Sequence, residues 1–488
     1  MRQMQGWLAF AILNQMIRFA RASAATLILF ICVQFAGAEH RKAPPLLPPD
    51  SRYKADLLLV VAHPDDDVVV GGYLARIALD EQKRVAVVYC TSGDGGGNAV
   101  GYEAGVSLGQ MRIIEARKAL ASFGIENVWF LSGHDTPGQN VLWSLDSWNH
   151  GLALDEIVRL VRLTRPEVIL TWLPNYVVGE NHDDHQAAGV LATEAFDMAG
   201  DPTKFPEQVS APRNRVGMMN RTEGLHVWQP KKLYYATDAF EDFGPYWHDK
   251  EQLSPFRKNF LDGNGPTYPN TTISPSRHKS YAQLMAEQQT YYLTQEGEIG
   301  VDALEKNDLS GFEYPMRLVF GKSLVGGSLT GDVFEGITAT SLPFAPVSGY
   351  HQKPKAGVSL ELGGPWAFYH EFWKAHDLEH LWELLPAPEV STRFGDVLNI
   401  PLILHNATSV PEEVRLTANL PSGWTDRTKY AAYPLKPGES YPILAMCLTP
   451  ETGNAQWREI TWKAEVGNRV AGMVTMRVYV SNEGVLPQ

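Results

Sequence analysis

Four short apolar runs, at residues 57–62, 84–91, 127–131 and 168–172, constrain the fold of this chain more than any other feature. Each is rich in Val, Ile, Leu or aromatic residues, as expected of strands buried on both faces. Helical patterns lie between them at residues 68–82, 107–123 and 154–164, and another follows the fourth run at 185–198. Ser107 is the expected cap of the second helix, and Gly124 closes it. Strands that alternate with helices of this length predict a parallel sheet covered on both sides. The expected fold is therefore α/β, a Rossmann-like, mostly parallel sheet with helices on both faces, assigned to residues 56–300.

At 488 residues the chain is too long for one such core. From residue 202 to 386 the periodicity weakens, and aromatics, Gly and Pro scatter through loops such as 240–247 and 261–268. One helix is expected at 280–293. A second aromatic-rich stretch, 366–385, carries His370, His376 and His380. No common ligand geometry places these three on one helix face, so they are not read as a metal site. Residues 301–386 are left as a connecting region without an assigned role. Short β-like runs then recur at 397–404, 413–418, 440–448, 459–466 and 471–480, separated by turn residues. That rhythm predicts an all-β sandwich over 387–482, which resembles the Ig-like accessory domains of secreted enzymes. Trp424, Trp457 and Trp462 are read as its core.

The N-terminus reads as a targeting segment. Arg18 and Arg21 precede an apolar run at 24–35 that ends in Ala36-Gly37-Ala38, a small-x-small cleavage pattern. The run is short for crossing a bilayer, where about 20 residues are needed. The expectation is a signal peptide at 1–38, a proline-rich linker at 39–55 and a secreted or periplasmic protein that touches a membrane only through an uncleaved leader. Formal charge is −13 overall. Such a surplus repels nucleic acid and anionic lipid, so neither is an expected partner. The cysteines, at 32, 90 and 447, form no CxxC pair. Any metal must be held by His, Asp or Glu.

Ligands of open α/β sheets bind beyond the carboxyl ends of the strands. The first apolar run ends in His63-Pro64-Asp65-Asp66-Asp67, and the fourth leads to His182-Asp183-Asp184-His185. Three adjacent carboxylates repel one another unless a cation compensates. His63, one Asp of the first cluster and one His of the second would make the three-ligand set that catalytic zinc uses, with the remaining acids orienting imidazoles from behind. Gly93–Gly97 resembles a phosphate cradle, but no G-x-G-x-x-G or Walker lysine accompanies it, and a flexible rim of the metal pocket is the better reading.

These elements occur together in one known family. The 62–66 segment with Gly71-Gly72, Thr91-Ser92-Gly93-Asp94, Arg112-x-x-Glu115 with Ala119 and Gly124, and His182–His185 resemble the PIG-L/LmbE-like zinc-dependent N-acetylglucosaminyl de-N-acetylases over about residues 56–200. A fainter echo follows in 231–235, Ser280-Tyr281 and 294–297. The resemblance implies one zinc per chain, or another divalent ion in its place, held by His63, Asp66 and His185. It implies Asp65 as general base and His182 as the group that assists charge stabilisation and leaving-group protonation; if cationic, His182 would stabilise the oxyanion and could deliver that proton. It implies Arg112 at the substrate, although Arg112 and Glu115 also have the spacing of a helix-face ion pair. The substrate would be an N-acetylated amino sugar or glycan. Asp67 and Asp184 are expected behind the ligands.

Two departures stand out. Asp67 replaces the family's usual Glu, and Asp183 stands where many relatives carry Pro. Two other functions fit the same residues: a zinc amidase or esterase of different specificity, and a non-catalytic carbohydrate-binding protein on a degenerate deacetylase scaffold.

Overall fold

The computed structural model describes residues 48–138, 140–175, 182–210, 223–237, 263–338, 356–384 and 387–484. The expected leader, most of the linker, Cys32 and the loop at 240–247 lie outside the described residues. No helix among the described residues is long and apolar enough to cross a membrane.

The first sheet has six strands. β1 (Leu57–Val61), β2 (Val85–Thr91), β3 (Asn127–Gly133), β4 (Val168–Trp172) and β5 (Lys232–Ala236) are parallel, and β6 (Val319–Ser323) pairs antiparallel with β5 at one edge. Their spatial order is 3-2-1-4-5-6. Every residue of β1, β2, β4 and β5 is buried, which explains their largely apolar sequences. β3 is the other edge and is half-exposed. Because β1 and β4 are neighbours, the strand order reverses between them, and their carboxyl ends flank the switch point.

The helices differ from expectation in instructive ways. Residues 68–82 are divided among a 3-10 turn (Asp66–Val68), α1 (Gly71–Ala75) and a π turn (Arg76–Asp80). α2 (Val106–Ala121) begins after Gly105, at φ 57°, so the cap is not Ser107. α3 (Val141–Ser147) had no clear sequence signal, and α4 (His150–Thr164) starts earlier than its apolar stripe. α5 (Asp183–Met198) starts two residues early because His182 caps it: the imidazole Nδ1 accepts from the Asp184 N–H at 3.3 Å. α5 lies so close to β4 that a Cβ on Gly189 would sit 2.3 Å from the Trp172 carbonyl oxygen.

Two further helices, α6 (Tyr281–Gln289) and α7 (Gly297–Lys306), pack on each other, and α6 also packs on α1. Ser280 caps α6 by accepting from the Gln283 N–H at 3.1 Å. Residues 301–386 contribute to both halves of the protein. β6 completes the α/β sheet, while β7 (Val358–Leu362) pairs with a strand of the C-terminal part. Between β7 and that part lie α8 (Pro365–Ala375) and α9 (Glu379–Leu384). α8 grips α5: the Tyr369 hydroxyl donates to Gln186 Oε1 at 2.6 Å. Just past its end, His376 Nδ1 meets Asp197 Oδ2 at 2.6 Å. His380 instead faces the Phe320 carbonyl and His370 the Trp382 ring, so the three histidines do not converge.

The C-terminal part is all β. β8 (Glu389–Arg393), β10 (Glu412–Asn419), β11 (Ala432–Leu435), β13 (Gln456–Val466) and β14 (Arg469–Ser481) form one sheet in the order 8-14-13-10-11. β9 (Val397–Asn406) lies between β7 and β12 (Ser440–Leu448) in the other, with the short strand Thr425–Asp426 beyond β12. Along β9, Leu398, Ile400, Leu402 and Leu404 alternate inward. Trp462 and Cys447 are fully buried, and Trp424 packs partly buried against the same core.

Candidate metal centre and pocket

The turn after β1 is built around the carboxylate of Asp66. Its Oδ2 accepts from the backbone N–H groups of Ala62 at 2.9 Å and His63 at 3.0 Å, and from the indole of Trp172 at 2.7 Å. With Oδ2 saturated, Oδ1 faces inward. It lies 3.5 Å from His63 Nδ1 and 3.2 Å from His185 Nε2, and those two nitrogens are 3.2 Å apart. β1 supplies two corners of this triangle and the N-terminus of α5, which follows β4, supplies the third.

The imidazole of His63 is held from behind. Its Nε2 lies 3.2 Å from Asp184 Oδ2, and Asp184 is anchored by the Thr136 N–H at 2.9 Å and the Thr136 hydroxyl at 2.7 Å. A carboxylate at Nε2 places the proton there and leaves the Nδ1 lone pair for the triangle. Burial opposes a charged His63, but Asp66, Asp184 and Asp135 outweigh it and hold the ring well above the usual imidazole range. Burial likewise opposes the Asp66 carboxylate, yet His185 and His63 keep it well below the carboxylate range.

Two imidazole nitrogens and a carboxylate oxygen this close need a proton or a cation among them. Ligands about 2.0–2.1 Å from a tetrahedral zinc are separated by about 3.3–3.4 Å. The observed edges bracket that spacing, so the residues present fit a small divalent ion. His182 stands nearby, and one nitrogen from each of His63, His182 and His185 lies within 4.8 Å of the others.

Asp65 sits beside the triangle at φ 125°, in the left-handed half of backbone space that non-glycine residues seldom occupy. Burial, reinforced by the charge of Asp66, pushes its carboxyl well above the carboxylate range. The cationic form of His182 is disfavoured. Burial first, then His63 and His185, push the ring down to about 4, so it is neutral at pH 7. Because Nδ1 accepts the helix cap, the remaining proton is on Nε2, which makes His182 an N–H donor.

Asp67 does not touch the triangle. Fully buried, it accepts from Tyr89 at 2.7 Å, Tyr292 at 2.5 Å and Gln288 at 2.5 Å, which ties the turn to α6 and the segment after it. Arg112 and Glu115 form no ion pair with each other. Arg112 donates to the carbonyls of Gly93 at 2.7 Å and Gly97 at 2.8 Å and lines the pocket, while Glu115 accepts from the N–H and hydroxyl of Thr294. The glycine segment is thus a tied rim rather than a loose one.

The triangle lies at the floor of a cavity of about 690 Å³, which Asp65, Arg112 and His182 also line. Sequence reasoning missed two parts of it. Asp135 and Thr136 follow β3 at the same sheet edge, and the rule that drew attention to β1 and β4 applies equally there. Asp135 Oδ2 accepts from Gly95 N–H at 2.9 Å, while its buried Oδ1 has no hydrogen-bond partner. Of the wall from Met285 to Tyr314, only Gln295 and Glu296 fell in the faint family echo at 294–297; Met285, Ile299, Phe312 and Tyr314 carried no site signal, since only the tertiary fold brings them to the strand ends.

An open α/β sheet with a His/Asp triangle at its switch point defines a Rossmann-like domain with a candidate metal centre. Residues 58–196 match the family described as PIG-L: GlcNAc-PI de-N-acetylase. A deacetylase of Catenulispora acidiphila that acts on 1D-myo-inositol 2-acetamido-2-deoxy-alpha-D-glucopyranoside is 32% identical over 215 residues, 40% of this chain and 58% of that protein. A namesake from Frankia alni is 31% identical over 189 residues, 36% of this chain and 59% of that protein. The chain thus spans less than two thirds of the length of these relatives. Among solved structures, an N,N'-diacetylchitobiose deacetylase from Pyrococcus horikoshii aligns with 54% of this chain and 83% of its own at 16% identity, with a TM-score of 0.35, too low to carry an argument.

Proposed function

We propose that this chain is an exported hydrolase that removes the N-acetyl group from an N-acetylglucosamine-type sugar, using one zinc or similar divalent ion held by His63, Asp66 and His185. The observation that carries this reading is the triangle of inward-facing donor atoms with edges of 3.2, 3.2 and 3.5 Å. The PIG-L match and the names of the relatives support the reaction and the sugar. Export rests on the leader pattern at 1–38 alone.

A cation held there supplies Lewis acidity toward the amide carbonyl and lowers the pKa of water. The other steps fall to side chains. Asp65, in the cavity lining next to the proposed ligand Asp66, takes the proton of the attacking water as a carboxylate. His182 offers its Nε2–H to the oxygen on which negative charge develops. Once the C–N bond breaks, the proton collected by Asp65 is available to the departing amine. Acetate and a free amine result. Arg112, fixed by the carbonyls of Gly93 and Gly97, and Asp135 line the cavity as candidate partners for sugar hydroxyls.

The test is metal content together with acetate release from N-acetylglucosamine derivatives. Wild type should hold about one divalent ion per chain, and His63→Ala should lose both ion and turnover. Asp65→Asn should keep the ion and lose about 10²–10⁴-fold in rate. Equal metal content in wild type and His63→Ala would overturn the ligand assignment. Unchanged turnover in Asp65→Asn would overturn the base.

A further inference from the structure

The cavity lining is of two kinds. Gly95, Gly96, Arg112, Asp135 and Thr136 offer groups that suit hydroxyls. The turn after β1 and residues 285–314 add Val68, Met285, Ile299, Phe312 and Tyr314, with Gln289, Tyr292, Gln295 and Glu296 interleaved among them. This second wall is built rather than incidental. Val68 ends the 3-10 turn that begins at Asp66, and α6 packs against that turn. From α6, Met285 receives the Tyr314 hydroxyl at its sulfur at 3.8 Å, and the same hydroxyl reaches the Val69 carbonyl at 3.4 Å. Asn270 ties the Phe312 carbonyl at 3.2 Å and also faces the Met285 sulfur at 3.9 Å. The Tyr314 and Tyr292 hydroxyls and the amide nitrogens of Gln289 and Gln295 are engaged within the protein, while Val68, Met285, Ile299 and Phe312 contribute apolar surface to the lining.

An amino sugar and its acetyl group do not account for such a wall. A pyranose presents hydroxyls around its rim, and the polar lining already offers partners for them. Concave apolar surface beside a few convergent polar groups is the usual form of a pocket that takes an amphipathic ligand. We infer that the substrate is an N-acyl amino sugar bearing an alkyl or aryl group that lies against Val68, Met285, Ile299 and Phe312. This rests on the deacylase reading above and narrows its substrate class. The apolar group could enter from either of two positions on the sugar, the acyl chain on nitrogen or the substituent on the anomeric oxygen, and the chemistry of the wall is the same for both.

Two homologous series separate the sources. One varies the acyl group of N-acylglucosamine from acetyl through butanoyl to hexanoyl. The other keeps N-acetyl and varies the glucoside from methyl through butyl to hexyl. Affinity is measured by calorimetry on the Asp65→Asn variant, which keeps the site and does not need to turn over, and kcat/KM on the metal-loaded wild type. In one series, binding should tighten by about threefold to fourfold per methylene, with an increasingly negative heat-capacity change.

Ile299→Ser, on α7, should flatten that slope. A general structural defect would instead lower all members by one factor. Flat affinity in both series, or an unchanged slope in Ile299→Ser, overturns the proposal. A sloped binding series with no amine released by wild type upholds the apolar compartment while sinking the deacylase reading, so the two failures are distinguishable.

Discussion

The indole of Trp172 donates to Asp66 Oδ2 at 2.7 Å, and the face of the same ring stacks on His185 with centroids 4.4 Å apart and planes 11° from parallel. One side chain at the end of β4 therefore orients two of the three proposed ligands, which come from different strand ends. The carboxylate is turned so that Oδ1 faces the triangle, and the imidazole plane is fixed against rotation. A ligand set held this rigidly loses little entropy on binding an ion.

Trp172→Phe should keep a stacking face and remove the donor. Asp66 retains the N–H groups of Ala62 and His63, so the turn should survive. Metal affinity is expected to fall about tenfold to hundredfold, the usual cost of losing an outer hydrogen bond to a ligand. Chelator competition reads this directly, with far-ultraviolet circular dichroism as the check on the fold. Unaltered affinity would remove Trp172 from the site.

Asp184→Asn tests the other supporting contact. The amide can still accept from Thr136 through one atom, but it no longer offers a charged carboxylate to His63 Nε2. The Nδ1 lone pair then loses its electrostatic backing, and metal affinity should drop by about tenfold or more. The pH midpoint of metal binding should shift with it. A drop in stability with no change in affinity would make Asp184 a support of the 134–138 loop only.

The ease of reading this sequence follows the range of the interactions involved. Buried parallel strands declare themselves as apolar runs, and the residues that leave their carboxyl ends are adjacent in sequence to those runs. His63, Asp65, Asp66, His182 and His185 were therefore legible, as was the all-β character of the C-terminal part. The start of α5 was not, because its cap is an imidazole, a group sequence rules do not count among caps. The charge state of His182 depends on neighbours brought in by the fold, and two of the three partners of Asp67 arrive from residues 288 and 292, more than two hundred positions away. Edge strands β6 and β7 are short and only half-buried, so the connector around them carried no strand-like pattern.

A pH effect on stability is expected away from the site. His150 opens α4 and meets Glu194 of α5 at 2.6 Å; that hydrogen bond raises the imidazole above its ordinary 6.5. A raised folded-state value means the stabilisation is fully present below about pH 6.5 and fades as pH climbs through the folded-state value. Since the imidazole is 40% exposed, the effect should be small, about 0.2–1 kcal/mol as for other solvent-accessible pairs. Urea unfolding at pH 6 and pH 8 should show a smaller pH difference in His150→Gln than in wild type. Equal pH differences in the two proteins would exclude the pair as its source.

Gly189 gives the most demanding test of how the triangle is assembled. It lies on α5 one turn beyond His185, and an added Cβ would come within 2.3 Å of the Trp172 carbonyl oxygen and 3.0 Å of Pro174. The obstructing oxygen belongs to the backbone of β4, so no side-chain rotation relieves the clash, and Gly189→Ala must push α5 away from the sheet. In an isolated helix the change would help, because Ala is the better helix former by about 0.8–1.0 kcal/mol. Overpacking instead costs about 1–3 kcal/mol, so net destabilisation is expected in urea unfolding. The displacement also carries His185 away from Asp66 Oδ1, now 3.2 Å distant, and metal affinity should fall although no ligand is altered. A variant as stable as wild type, with undiminished metal binding, would mean that α5 is not held to β4 by this contact.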